Sequence, residues 1–197
     1  MHLIFNHPKI NNKKEEKGLS LIESAMVLAL AATVTAGVMF YYQSASDSNK
    51  TQAAISEVMS ATSAINGLYI GQSGYSGLGV SVLTNSSAIP DNYKKSDKIM
   101  NPFGGDLEVG TGNTGDGYGY KLTLTQLPKS ACISLATLNL GTSAAGYGVN
   151  TDTLNNSGSS GSSGSSGNSK TGAITPSEAA GWCSDNNSAN KVTYFMK

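Results

Sequence analysis

Apolar residues are concentrated near the start of the chain, in residues 19–42, where Glu23 is the single charged residue. About 20 apolar residues in a helix span the hydrocarbon core of a bilayer, so this run predicts a helix that can cross a membrane. Lysines precede the run, and the first lysine after it is Lys50. Because basic residues favour the cytoplasmic side, the start of the chain is expected inside and the remainder outside.

The helix is predicted to continue past the apolar run and to reach Ile70. Apolar side chains recur there every three or four residues, which is the spacing of one helical face. The members of this face are Ile55, Val58, Met59, Ile65, Leu68 and Tyr69, with Thr62 between them. No proline interrupts residues 19–70, and Gly71 is a suitable helix end. Such a face needs a partner, and the rest of the chain is the natural candidate.

The remaining residues, 72–197, predict a head of mixed secondary structure. Turn-forming glycine, asparagine and aspartate are frequent up to Gly119. Polar and apolar residues then alternate over 118–127 and again over 191–196, which predicts two half-buried strands. The links between strands are too short for parallel crossovers, and this favours an antiparallel sheet.

Two short helices complete the predicted head. One follows Pro128 and carries Cys132, and the other begins at Thr175 with a capping box closed by Glu178. The fold class is therefore α+β, with a long N-terminal helix packed on a C-terminal head that contains an antiparallel sheet and short helices.

Two glycine-rich segments interrupt this pattern. Residues 157–168 are nearly all serine and glycine, which predicts a flexible loop, either exposed on an assembled surface or simply a tolerated insertion. Residues 110–115 fit the G-x-G-x-x-G spacing of dinucleotide-binding loops. That motif requires a helix directly after it, whereas more glycine, aspartate and tyrosine follow here, so a turn is predicted instead.

Composition narrows the chemistry that the chain can perform. All 13 basic residues are lysine, and the formal net charge is zero, so nothing indicates a nucleic-acid partner. The two histidines, His2 and His7, both precede the apolar run. Without residues 1–18 the chain has no histidine for acid–base catalysis or metal binding. The sequence therefore predicts no cofactor, no metal site and no enzymatic activity.

The two cysteines, Cys132 and Cys183, are too few for a structural zinc site. In an exported chain they predict one disulfide, and the alternative is a pair of unrelated buried thiols. A secretory signal peptide would also explain an apolar run near the start, but this run is longer than a signal core and contains Glu23. An uncleaved membrane anchor leaves the carboxylate of Glu23 unexplained.

The segment Lys17-Gly18-Leu19-Ser20-Leu21-Ile22-Glu23, between a basic leader and the apolar run, resembles the type IV pilin family. The length of the leader and the leucine at position 19 are similar to the type IVb class. The resemblance implies that a prepilin peptidase cuts between Gly18 and Leu19 and that the same enzyme N-methylates the new amine of Leu19. It also implies that Glu23 pairs with that amine in a neighbouring subunit during assembly.

The resemblance implies an organisation and a location as well. Residues 1–18 would be the removed leader, 19–42 the membrane-spanning and filament-core part of the helix, 43–71 its amphipathic part and 72–197 the extracytoplasmic head. The precursor would lie in the bacterial inner membrane, and the mature chain would form an extracellular homopolymer with the help of pilus assembly machinery. Such a major pilin would serve adhesion and bacterial aggregation.

Two other functions fit the same pattern. A minor pilin or a type II secretion pseudopilin would share the leader motif but would not be the main component of a filament. A membrane-anchored extracytoplasmic binding domain would keep its first 18 residues.

Overall fold

The computed structural model of the chain describes residues 20–87, 89–112, 115–154, 168–184 and 188–197. The chain divides into two compact units, with the boundary between Gln43 and Ser44. Helix α1, Leu21–Leu68, contributes to both units. The predicted long helix is confirmed, although it ends at Leu68 rather than at Ile70. The chain then turns at Gly71, where φ is +81°, a value that suits glycine.

The first unit contains the apolar part of α1. Its large apolar side chains are exposed, between 60% at Val27 and 86% at Leu21. Among the described residues, α1 is the one helix that is long and apolar enough to cross a membrane. Exposed apolar side chains in an unbroken run require an apolar environment, either lipid or other protein.

The second unit, Ser44–Lys197, is built around an antiparallel sheet, as predicted. Its described residues form seven strands in the order β1-β2-β3-β4-β7-β5-β6. The strands are β1 Lys94–Lys95, β2 Lys98–Met100, β3 Asp106–Thr111, β4 Tyr120–Leu127, β5 Ala144–Val149, β6 Asn168–Lys170 and β7 Asn190–Met196. The two strands predicted from alternation, β4 and β7, are direct neighbours near the centre of the sheet.

Short helices accompany the sheet. They are α2 Val80–Thr84, α3 Lys129–Ala136 and α4 Pro176–Trp182, with single 3₁₀ turns at Asp91–Tyr93 and Gly141–Ser143. Helices α3 and α4 are the two that the sequence predicts, and the capping box of α4 is present. The side chain of Thr175 accepts the N–H of Glu178, and the carboxylate of Glu178 accepts the N–H of Thr175 at 2.9 Å.

One face of the sheet carries the main hydrophobic core. The register pairs Leu122 with Tyr194 and Leu124 with Val192, so these side chains share a face, and all four are fully buried. The hydroxyl of Tyr194 donates to the carbonyl of Leu135 at 2.8 Å, which ties β7 to α3.

The other face of β4 and β7 differs from expectation. The sequence predicts a solvated polar face, but Thr123 and Thr193 are buried at 2% and 0% exposure. Their hydroxyls lie 3.1 Å apart, and Thr193 also donates to the carbonyl of Thr151 at 2.8 Å. Asp152 forms an ion pair with Lys191 and accepts a bond from Lys121 through its carbonyl. The segment after β5 therefore covers this face.

The amphipathic part of α1 packs on the core, but only some of the residues predicted to face the core are buried. Val58 and Ile65 are fully buried as expected, whereas Met59 is 59% exposed and Leu68 is 49% exposed. The buried positions are Ala54, Glu57, Val58, Ala61 and Ile65. The two alanines were missed because small side chains contribute little to an apolar pattern, yet they allow close packing.

The last residue of the chain is held by hydrogen bonds to two distant segments. The backbone N–H of Lys197 donates to the carbonyl of Ser143 at 2.9 Å, and the hydroxyl of Tyr75 donates to the carbonyl of Lys197 at 3.0 Å. The ring of Tyr75 also lies 4.7 Å from that of Tyr120 on β4. The C-terminus, the segment after α1 and the sheet are thus joined.

Candidate functional site

The start of α1 is the first candidate site. Gly18 and Leu19 lie outside the described residues, so the description begins at Ser20. The carboxylate of Glu23 accepts the backbone N–H of Ser20 at 3.0 Å. This is one half of a capping box, in which the third residue of a helix satisfies the N–H of the residue before it. The side chain of Ser24 donates to the carbonyl of Ser20 at 3.1 Å and so reinforces the same turn.

This geometry keeps the charge of Glu23 at the helix end and exposed. A carboxylate is favourable there because the helix N-terminus carries partial positive charge. The rest of the apolar part of α1 has no second charge before Gln43. Among the residues of the first unit that the structure describes, 20–43, Glu23 is therefore the one charged side chain on a largely apolar surface.

The second candidate site is the pair of cysteines, and the structure joins Cys132 to Cys183 in a disulfide, as predicted. Their Cα atoms are 5.9 Å apart, and both residues are fully buried. Cys132 lies within α3, and Cys183 directly follows α4, so the bond fastens one helix to the other. A buried disulfide of this kind stabilises a fold and offers no exposed thiol for chemistry.

Helix α4 is fixed by charge as well as by its cap. The ammonium of Lys170, on β6, donates to the carboxylate of Glu178 at 3.0 Å. The N–H of Thr175, and then the Lys170 side chain, lower the pKa of Glu178 below its ordinary value. The residue stays ionised, and the end of the segment 157–168 is held next to α4. Most of that segment lies outside the described residues, but its last member, Asn168, pairs with Val149 in the sheet rather than lying in a loop.

Two grooves on the surface of the second unit are lined mainly by polar residues. One is lined by α1 and α3 hydroxyl groups, including Ser48, Thr51 and Ser130. Another lies over the sheet between Glu108 and Asp152. Within the described parts of the chain, no group of three or more His, Cys, Asp and Glu side chains could hold a metal ion. The turn predicted over 110–115 is wrong for its first two residues, because Gly110 and Thr111 belong to β3 and pair with Lys121 and Tyr120 of β4. The next described element is strand β4 and not a helix, so the dinucleotide-binding motif is absent there.

One residue with unusual chemistry was missed by sequence analysis. Glu57, on the core face of α1, is only 5% exposed. Burial raises the pKa of its carboxyl to about 7. The spacing of apolar residues gives no signal for it, because a glutamate between Ser56 and Val58 is not an apolar position.

The fold is that of a type IVb pilin. The crystal structure of a type IVb pilin from Salmonella typhi matches with a TM-score of 0.50 at 21% identity. The match covers 70% of this chain and 93% of that one.

Sequence comparisons are more specific. The bundlin family matches residues 43–197. Two proteins, each named as the major structural subunit of the bundle-forming pilus, are 70% identical to the chain over 191 residues. They come from Escherichia coli O111:H- and from Escherichia coli O127:H6, strain E2348/69, and each match covers 96% of this chain and 98% of the relative. The chain belongs to the bundlin family, which confirms the resemblance to type IVb pilins.

Proposed function

We propose that the chain is the major structural subunit of a bundle-forming type IVb pilus, an extracellular filament that serves adhesion and bacterial aggregation. The observation that carries this proposal is the 70% identity, over 96% of the chain, to two proteins with that name. The fold supports it, because the first unit presents an exposed apolar helix and the second unit is a separately packed core. The protein is a structural subunit and not an enzyme.

The proposal includes a maturation step. The precursor would lie in the inner membrane through α1, and a prepilin peptidase on the cytoplasmic side would remove residues 1–18. The amine of Leu19 would then be N-methylated, and the assembly machinery would extract the subunit into the filament. The support for this is the Gly18-Leu19 junction at the border between the basic leader and the apolar run.

In the assembled filament, Glu23 would pair with the Leu19 amine of a neighbouring subunit. Burial of either charge alone among apolar helices is costly, whereas a paired arrangement offsets much of that cost. Cleavage would create the amine of Leu19 about one helical turn from Glu23. Each subunit would therefore carry an amine and a carboxylate close together at the start of its helix, and each group could pair with the opposite group of a neighbour. The exposed position of Glu23 leaves its carboxylate accessible to such a partner.

Mass spectrometry of sheared filaments tests the proposal. We expect this chain to be the predominant protein, with an N-terminus at Leu19 that carries one extra methyl group. A minor pilin or pseudopilin would be present in trace amount only. An intact N-terminal leader on the mature protein would instead indicate an anchored binding domain and would contradict the maturation step.

A matched pair of glycine variants controls the experiment. Gly18→Ala is expected to block leader removal. Gly37 lies in the apolar part of α1, far from the proposed cut site, and an added methyl group there meets nothing within 4 Å. Gly37→Ala should therefore be processed normally. Equal processing of the two variants would contradict the assignment of the cut site.

A further inference from the structure

Glu57 is buried where a charge is unfavourable. Its neighbours along the core face of α1, Ala54, Val58 and Ala61, are all fully buried. Acidic residues are rarely this buried unless they are paired. Yet neither carboxylate oxygen of Glu57 has a hydrogen-bond partner among the described residues.

The charged groups of the surrounding elements do not offset the burial of the Glu57 carboxylate. On α1 itself, Asp47 is half-buried and Lys50 is exposed. The tyrosine hydroxyls on the core face of the sheet are committed to other acceptors, Tyr120 to Asn66 and Tyr194 to Leu135. The described lysines of the sheet, of α3 and of the residue after β7 are either exposed or bonded elsewhere. They are Lys94, Lys95, Lys98, Lys121, Lys129, Lys170, Lys191 and Lys197.

The protonation state of Glu57 therefore follows from burial alone. Removal of a carboxylate from water disfavours its charged form, and no cation among the described residues reverses that effect. The pKa rises from 4.5 to about 7, with desolvation as the cause. Below that pH the folded unit holds a neutral carboxylic acid at this position. Above it, the folded unit holds an unpaired charge in its core.

We propose that Glu57 makes the packing of α1 on the core of the second unit sensitive to protons. The protonated side chain is compatible with the buried face, and packing is strong. Loss of the proton to solvent leaves a charge that favours opening of this face. This proton sensitivity is a property of the folded subunit and does not depend on filament assembly.

The direction of the pH effect follows from the two pKa values. The folded-state value is raised, so the stability contributed by protonation is complete below the unfolded-state value of about 4.5. It is lost as the pH rises toward 7 and stays lost at higher pH. Between pH 5 and pH 8 the equilibrium constant for unfolding should increase roughly 70-fold through this group alone.

Urea unfolding of the full-length protein in a non-ionic detergent, with the disulfide intact, tests the proposal. From pH 5 to pH 8, the equilibrium constant for unfolding of the wild-type protein should increase by roughly 70-fold through Glu57. Glu57→Gln, which keeps the size of the side chain but cannot titrate, should lose most of this dependence. Glu108→Gln is the matched control, because Glu108 is exposed and its removal should leave the wild-type profile. Identical pH profiles for wild type and Glu57→Gln would overturn the proposal.

A second measurement needs no variant. Carbon-13 NMR of wild-type protein labelled at glutamate carboxyl groups should show a midpoint near 7 for the resonance assigned to Glu57. A midpoint near 4.5 would overturn the proposal even if the variant failed to fold.

Discussion

The carboxylate of Glu23 accepts the N–H of Ser20, and in the proposed filament it also faces the amine of a neighbouring subunit. These two roles need different properties of the side chain. A capping residue must accept a hydrogen bond, which an amide does as well as a carboxylate. An ion pair requires the negative charge. The residue thus has a local role in its own helix and a proposed role between molecules.

Two substitutions at this position separate the roles. If the ion pair is required, Glu23→Gln should be processed normally but yield about a tenth of the wild-type filament mass or less, because loss of one partner leaves the buried amine uncompensated. Glu23→Ala should behave the same way. Ser24→Ala, which removes a neighbouring polar side chain without changing charge, should give wild-type yield. The measurement is the mass of sheared filaments relative to the total processed subunit. Normal assembly of Glu23→Gln would restrict the residue to helix capping.

At the scale of the element, α1 has a register that the apolar pattern describes only in part. Ile65 is fully buried, whereas Met59, which has the same apolar character, is 59% exposed. Apolar character alone therefore does not decide which side chains of the helix are buried. Ala54 and Ala61 lie on the buried face, whereas the larger side chain of Met59 lies outside it.

This register predicts unequal effects for two truncations on the same helix. Ile65→Ala should destabilise the second unit by about 2–5 kcal/mol, because it removes buried methyl groups and leaves a cavity. Met59→Ala should change stability by no more than about 0.5 kcal/mol, as is usual for exposed positions. Urea unfolding monitored by circular dichroism gives both values. Equal losses for the two variants would mean that the helix is rotated relative to the register described.

Elements with a local signal were predictable, and elements that depend on distant contacts were not. The long helix, β4, β7 and the capping box of α4 all follow from spacing or from adjacent residues. Strand β5 has no such signal because it contains Gly146 and Gly148. An added methyl group at Gly146 would come within 2.4 Å of Leu154, so this strand depends on close approach by another segment. The burial of Glu57 is likewise a product of tertiary packing.

At the scale of the whole molecule, the disulfide closes a large part of the second unit into a ring. Cys132 and Cys183 are 51 residues apart in sequence, and the ring contains β5, β6 and α4. Cross-linking stabilises a fold mainly by restricting the unfolded chain, and the effect grows with the size of the closed loop.

Removal of this cross-link should therefore be costly. The double variant Cys132→Ala with Cys183→Ala is expected to lose about 4 kcal/mol in the free energy of unfolding. Wild-type protein unfolded in the presence of a reductant is the control, and it should show a similar loss. Unchanged stability in both samples would mean that the unfolded chain is already compact without the bond.

The same ring has a consequence for proteolysis on the surface of a filament. Every peptide bond between Cys132 and Cys183, including those in the serine- and glycine-rich segment, lies inside a covalent loop. A protease that cuts the backbone once within it produces two fragments that remain one molecule until the disulfide is reduced. A nicked subunit would still be joined by covalent bonds from α1 to β7.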